Sequence, residues 1–125
     1  MIIQGKYVEN NRDIGYKAEK IASDFLESLG YSIIQKNFHF GRYGEIDIIC
    51  NDNTTLVFVE VKYRNTYNYG TPESSITHKK IKTLRRAAEG FLYIRKIVDT
   101  ECRFDIIAID FTDGMQSIRH LKCAF

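Results

Sequence analysis

Along residues 13 to 29, apolar side chains recur every three or four positions: Ile14, Ala18, Ile21, Ala22, Phe25, Leu26 and Leu29. That spacing predicts an amphipathic helix with one buried stripe, capped at its start by Asp13 and ended by Gly30. The period then changes. Residues 31 to 38 have β character, and 39 to 44 read as a flexible segment. Residues 45 to 51 and 56 to 64 read as two strands joined through Asp52-Asn53-Thr54-Thr55, with Asp52-Asn53 as the expected apex. Residues 65 to 74, rich in Asn, Tyr, Gly and Pro, read as a loop. A second helix is predicted over 75 to 95, with Ile81, Leu84, Ala88, Phe91 and Leu92 on one stripe. An apolar strand over 103 to 111, a turn at Asp113-Gly114 and a weaker strand over 115 to 122 complete the chain.

The order is helix, three strands, helix, two strands. Neither a pure sandwich nor a regular βαβα alternation has that order, whereas an α/β fold with a mixed central sheet flanked by helices does. With 125 residues, 44% hydrophobic, one proline and no low-complexity run, residues 1–125 are expected to form one domain. Residues 1 to 6 lack the apolar core of a secretion signal. No apolar stretch approaches the roughly 20 residues that span a bilayer. A soluble cytoplasmic protein with no membrane partner is the expectation. Cys50, Cys102 and Cys123 show no CxxC spacing and fit free thiols in a reducing compartment.

Chemistry enters with the two central strands. Alternation sends Glu45 and Asp47 to one face and Ile46 and Ile48 to the other. In Val57-Phe58-Val59-Glu60-Val61-Lys62, Glu60 and Lys62 share a face opposite Val59 and Val61. A four-residue loop pairs Asn51 with Leu56, and counting outward then sets Asp47 across from Glu60 and Glu45 across from Lys62. A two-residue turn at Asp52-Asn53 sets Asp47 diagonal to Glu60. Either register puts both acids on one face, with Cβ atoms about 4.5–5.5 Å apart in the first and about 7–8 Å in the second. Like charges that close need compensation. Carboxylate oxygens suit Mg²⁺ or Mn²⁺, and a cation so held, with an ammonium such as Lys62 nearby, suits phosphodiester hydrolysis. A charged surface strand would be the plainer account, but central strands rich in Val and Ile seldom carry four charges on one face.

Gly44-Glu45-Ile46-Asp47-Ile48-Ile49 followed by Val57-Phe58-Val59-Glu60-Val61-Lys62-Tyr63-Arg64 resembles the signature of the YraN family of bacterial proteins. Those proteins are similar to archaeal Holliday-junction resolvases, within the restriction-endonuclease-like PD-(D/E)xK superfamily. Further matches are Gly15-Tyr16-Lys17-Ala18-Glu19-Lys20-Ile21-Ala22, Gly30-Tyr31, Lys36-Asn37, Lys80 and Arg103-Phe104-Asp105, so the resemblance spans nearly the whole chain. Ala18-Glu19 stands where the family usually has Gly-Glu. The resemblance implies a restriction-endonuclease-like αβββαβ core, Asp47 and Glu60 as metal ligands, Lys62 as catalytic lysine, and Glu19 approaching from the first helix. On the helical repeat Glu19 lies about 90° from the centre of the buried stripe, which permits this.

The expected function is a Mg²⁺- or Mn²⁺-dependent endonuclease acting on DNA, with branched junctions as the substrate by analogy. Asp47, Glu60, Glu19 and Glu45 would form the metal site. Cutting both strands of a junction would call for a symmetric homodimer. The alternatives are a nucleic-acid-binding module that kept the fold without catalysis, or an assembly partner. The net charge of +2 permits nucleic-acid binding without requiring it. Lys79, Lys82 and Arg86 share the helix face opposite the apolar stripe, and either a solvated face or a phosphate contact fits them. Lys80, at the stripe's border, is placed to reach the sheet, and Arg64 would be a phosphate contact. His39, His78 and His120 lack metal-ligand spacing and are expected at the surface or in loops. Tyr43, Tyr63, Tyr67 and Tyr69 are expected to pack over the domain or to stack on bases.

Overall fold

In the computed structural model the described residues are 2–3, 6–7, 11–64, 71–112 and 114–125, with 2–3, 6–7, 11–12 and 112 described as backbone only. A short antiparallel pair, β1 (Ile2–Ile3) and β2 (Lys6–Tyr7), precedes helix α1 (Asn11–Ser28). Strands β3 (Ser32–His39), β4 (Glu45–Asp52) and β5 (Thr55–Arg64) follow, then helix α2 (His78–Arg95), β6 (Cys102–Thr112) and β7 (Met115–Leu121). The five long strands form one sheet in the order β3-β4-β5-β6-β7. All neighbours are antiparallel except β5 and β6, which run parallel from Leu56↔Cys102 to Arg64↔Asp110. That pairing needs a crossover, and α2 supplies it. This is the mixed α/β architecture expected, with an α1-β3-β4-β5-α2-β6 core.

Each helix covers one face. Ala18, Ala22 and Leu26 of α1 pack on Ile48, Cys50, Val57, Val59, Val61, Ile107 and Ile109. Leu84, Ala87, Ala88 and Phe91 of α2 pack on Phe38, Ile46, Ile49, Leu56 and Phe58. Buried on both sides, β5 is a continuous core strand from Leu56 to Val61, as the interior of a sheet with a parallel pair requires.

Several boundaries differ from the sequence expectation. Helix α1 begins at Asn11, so Asp13 lies within its first turn instead of capping it. Leu29 falls past the helix end and is 47% exposed. Gly30, at φ +89°, closes the helix as expected, with the Tyr31 N–H donating to the Leu26 carbonyl at 3.1 Å. Residues 72–75 form a 3-10 turn, and α2 starts only at His78, where Thr77 Oγ1 accepts the Lys80 N–H at 3.1 Å. The β4-β5 apex is Asn53-Thr54, because Asp52 pairs with Thr55. Residues 39 to 44 form a pinned turn. Phe40 packs on Gly90, and a Cβ at Gly44 would lie 2.8 Å from the Thr83 carbonyl oxygen, so neither glycine position has room for a side chain. Residues 65–70, with Tyr67 and Tyr69, lie outside the described residues.

Candidate functional site

The β4-β5 register is the one that pairs Asn51 with Leu56, but the ladder runs only from Asp52↔Thr55 to Ile48↔Val59. Beyond that point each strand stays with its outer neighbour, β4 with β3 as far as Glu45↔His39 and β5 with β6 as far as Arg64↔Asp110. The sheet therefore forks at Asp47. The Val61 N–H, released from the ladder, donates to Asp47 Oδ2 at 2.8 Å.

Strict alternation also fails here. Ile46 and Ile48, expected on one face, pack in different clusters, Ile46 beneath α2 and Ile48 beneath α1. Asp47 occupies the change of phase. The register places it across β3 from Asn37, between Lys36↔Ile48 and Phe38↔Ile46, and Asn37 has a left-handed backbone with φ +52°.

Into the fork come three carboxylates. Oxygens of Glu19 from α1 and of Glu45 and Asp47 from β4 lie within 4.8 Å of one another. Glu60, 6% exposed, stands outside that trio but against Asp47, within hydrogen-bonding reach. Its Oε2 is buried, and no hydrogen-bond partner for it occurs among the described residues. Lys80 Nζ lies 3.6 Å from it. Lys62, half-buried, follows Glu60 by two positions along β5.

The electrostatics follow from this crowding. Burial pushes the Asp47 carboxyl up, and the charge of Glu60 and the hydrogen bond shared with it push further, to about 8. The Val61 N–H opposes that rise and Glu45 adds to it. Glu19 is also raised, by burial first and by Asp47 second, with Asn37 acting against the shift. Crowded carboxyls of this kind favour the protonated form at Asp47 until a positive charge offsets them.

Two hollows of the surface are edged with cations. One, of about 270 Å³, is lined by Tyr16, Glu19, Lys20, Lys36 and Asn37. The other, of about 230 Å³, is lined by Lys79, Lys82, Thr83 and Arg86. Thr83 of the second hollow lies against Gly44, the residue before Glu45. The Arg86 guanidinium lies 5.1 Å from the centre of the Tyr43 ring.

Other residues singled out in the sequence fall elsewhere. Arg64, expected at a phosphate, is held by Asp110, which also accepts Arg119 Nη2 at 3.2 Å. Tyr63 packs its hydroxyl on Gly15. His120 is a correction: its side chain is 9% exposed, and Nε2 lies 2.8 Å from the fully buried Asp105. A polar partner on the neighbouring strand draws it inward, which spacing could not show. The residue that sequence reasoning left without a role is Asn37. Its signal was an asparagine inside a β run, one of the few side chains that tolerate positive φ.

The chain matches the model of a family described as "Uncharacterised protein family UPF0102" over residues 18–109. It is 39% identical over 115 residues to a UPF0102 protein of Syntrophomonas wolfei, covering 92% of this chain and 99% of that one. It is 43% identical over 118 residues to one from Natranaerobius thermophilus, covering 93% and 99%. A UPF0102 protein of Geobacter metallireducens is 40% identical over 116 residues, covering 93% and 94%.

Proposed function

The chain belongs to the UPF0102 (YraN) family, and on that premise we propose that it is a metal-dependent DNA endonuclease whose centre is the fork at Asp47. The supporting observation is the meeting of the Glu19, Glu45 and Asp47 oxygens within 4.8 Å, beside a buried Glu60 oxygen with no hydrogen-bond partner among the described residues. Groups of like charge so placed are costly unless a cation joins them. The donors are all hard oxygens, which fits Mg²⁺ or Mn²⁺ with water and phosphate completing the shell. Asp47, Glu60, Glu19 and Glu45 would hold the ion. Bound there, it would supply Lewis acidity toward a phosphoryl oxygen and a more acidic water.

The chain's own side chains do the rest. The Val61 N–H fixes the Asp47 carboxylate, and Lys80 offsets the charge of buried Glu60. Lys62 sets an ammonium on the strand face of Glu60, where negative charge builds on the phosphate. DNA phosphates pass from the hollow of Lys20 and Lys36, across the acids, to that of Lys79, Lys82 and Arg86. Binding of this kind releases counterions and makes affinity fall with salt. Branched DNA is the substrate that follows from the similarity to junction resolvases, with a homodimer supplying the two cuts.

The test is a panel of linear, single-stranded, flap and four-way-junction DNA with Mn²⁺, using wild type, Asp47→Asn and Lys62→Ala. Metal-dependent cutting by wild type, lost in both variants, is the expected result. A wild type that binds DNA but cuts none of these forms would favour the non-catalytic binding module. Cutting that survives Lys62→Ala would place the activity elsewhere.

A further inference from the structure

We infer that Asn37 is a positioning residue of the acidic centre, holding the Glu19 carboxylate of α1 against Asp47. The inference rests on the reading of that centre as a metal site and assigns a role to a residue outside its ligands.

The backbone supplies the first argument. Asn37 lies inside β3, yet its φ is +52°, a conformation costly for most L-residues and tolerated by asparagine. The register sets it across from Asp47, at the point where β3 and β4 change phase together. Lys36 lines the hollow beside α1 while Phe38 packs beneath α2. A regular strand would have sent residue 37 to one face by alternation alone. The left-handed turn instead aims its side chain at α1.

The amide supplies the second argument. With its nitrogen toward Glu19, Asn37 donates to both carboxylate oxygens at 3.3 Å. Glu19 is half-buried and faces the charges of Asp47 and Glu45, so nothing in the acids themselves keeps it there. Lys36 and Lys20 border the same hollow, and a carboxylate without a tether would swing toward those ammonium groups or to water. A neutral donor is suited to this task. It fixes the carboxylate without cancelling its charge, whereas a lysine in that place would compete with the cation. Donors standing behind ligands commonly govern metal affinity in this way.

The experiment measures Mn²⁺ affinity of the full chain by titration calorimetry, for Asn37→Gly in the wild-type and Glu19→Gln backgrounds. Glycine adopts the same φ without strain, so the variant keeps the backbone and deletes only the amide. Affinity should fall about ten-fold in the wild-type background and not fall further once Glu19 has been replaced. Equal losses in both backgrounds, or none in either, would overturn the assignment. A second readout needs no metal: the Asn37 side-chain amide resonances should move in Glu19→Gln, and signals that stay in place would overturn it as well. A wild type that binds no Mn²⁺ overturns the metal-site reading and with it the purpose given to Asn37. That failure is recognisable because the amide signals would still report the hydrogen bonds to Glu19.

Discussion

Two aspartates of the same sheet, Asp105 on β6 and Asp47 on β4, are treated in opposite ways. Asp105 is fully buried, yet it collects Arg103 Nε at 3.0 Å, His120 Nε2 at 2.8 Å and the Cys123 N–H at 3.1 Å. Arg103 is itself shared with Asp52 and the Tyr31 hydroxyl, each at 2.8 Å. Burial alone would raise the Asp105 carboxyl, but the bonds from His120, Arg103 and Cys123 hold it below the usual carboxylate range. Asp47 is less buried and accepts the Val61 N–H, with Glu60, Glu45 and Glu19 around it and a carboxyl pushed up to about 8. The fold therefore surrounds one carboxylate with cationic and N–H donors and crowds the other with acids. Under the proposed function, a cation from solution offsets the crowding at Asp47.

The contrast can be broken by mutation. Asp105→Ala strands Arg103 and His120 among buried groups and should cost about 3–5 kcal/mol, read from denaturant unfolding. Asp47→Asn, which removes a repelled charge, should stabilise the metal-free chain by about 1 kcal/mol or more. A loss of stability in both would end the distinction between the two sites. The same Asp47→Asn change should reduce Mn²⁺-dependent cleavage on the order of 10²-fold or more.

Acidity sharpens the comparison. The Asp47 carboxyl is raised in the folded chain, so its contribution to stability is complete below about pH 4 and is lost as pH climbs toward 8. Metal-free wild type should lose stability progressively over that window, and Asp47→Asn should flatten the loss. Mn²⁺ should restore stability more at pH 8 than at pH 5, since the ligands must shed their proton. Asp105 has the opposite sign: its contribution persists above the ordinary carboxylate range and fades only in acid. Thermal unfolding across pH, with and without Mn²⁺, checks both. The smallest effect should come from the α2 face. Lys82→Ala and Arg86→Ala should leave stability within about 0.5 kcal/mol, while DNA affinity falls and its salt dependence flattens by about one unit for each phosphate no longer neutralised.

Sequence by itself determined the order of the two helices and five long strands (though not the short β1-β2 pair or the turn at 72–75), the apolar stripes of both helices and the placement of Asp47, Glu60 and Lys62 on two adjacent core strands. Those properties repeat over many residues, and a periodic signal survives a shift of one or two at any boundary. Tertiary structure decided where the β4-β5 ladder stops, and so which N–H Asp47 receives. It also decided that Glu19 arrives within reach of Asp47, that Arg64 turns to Asp110, that His120 turns to Asp105, and that Asn37 inverts its backbone opposite the fork. Each of these depends on partners far along the chain, β6 drawing β5 one way while β3 draws β4 the other. A local pattern carries no record of such competition.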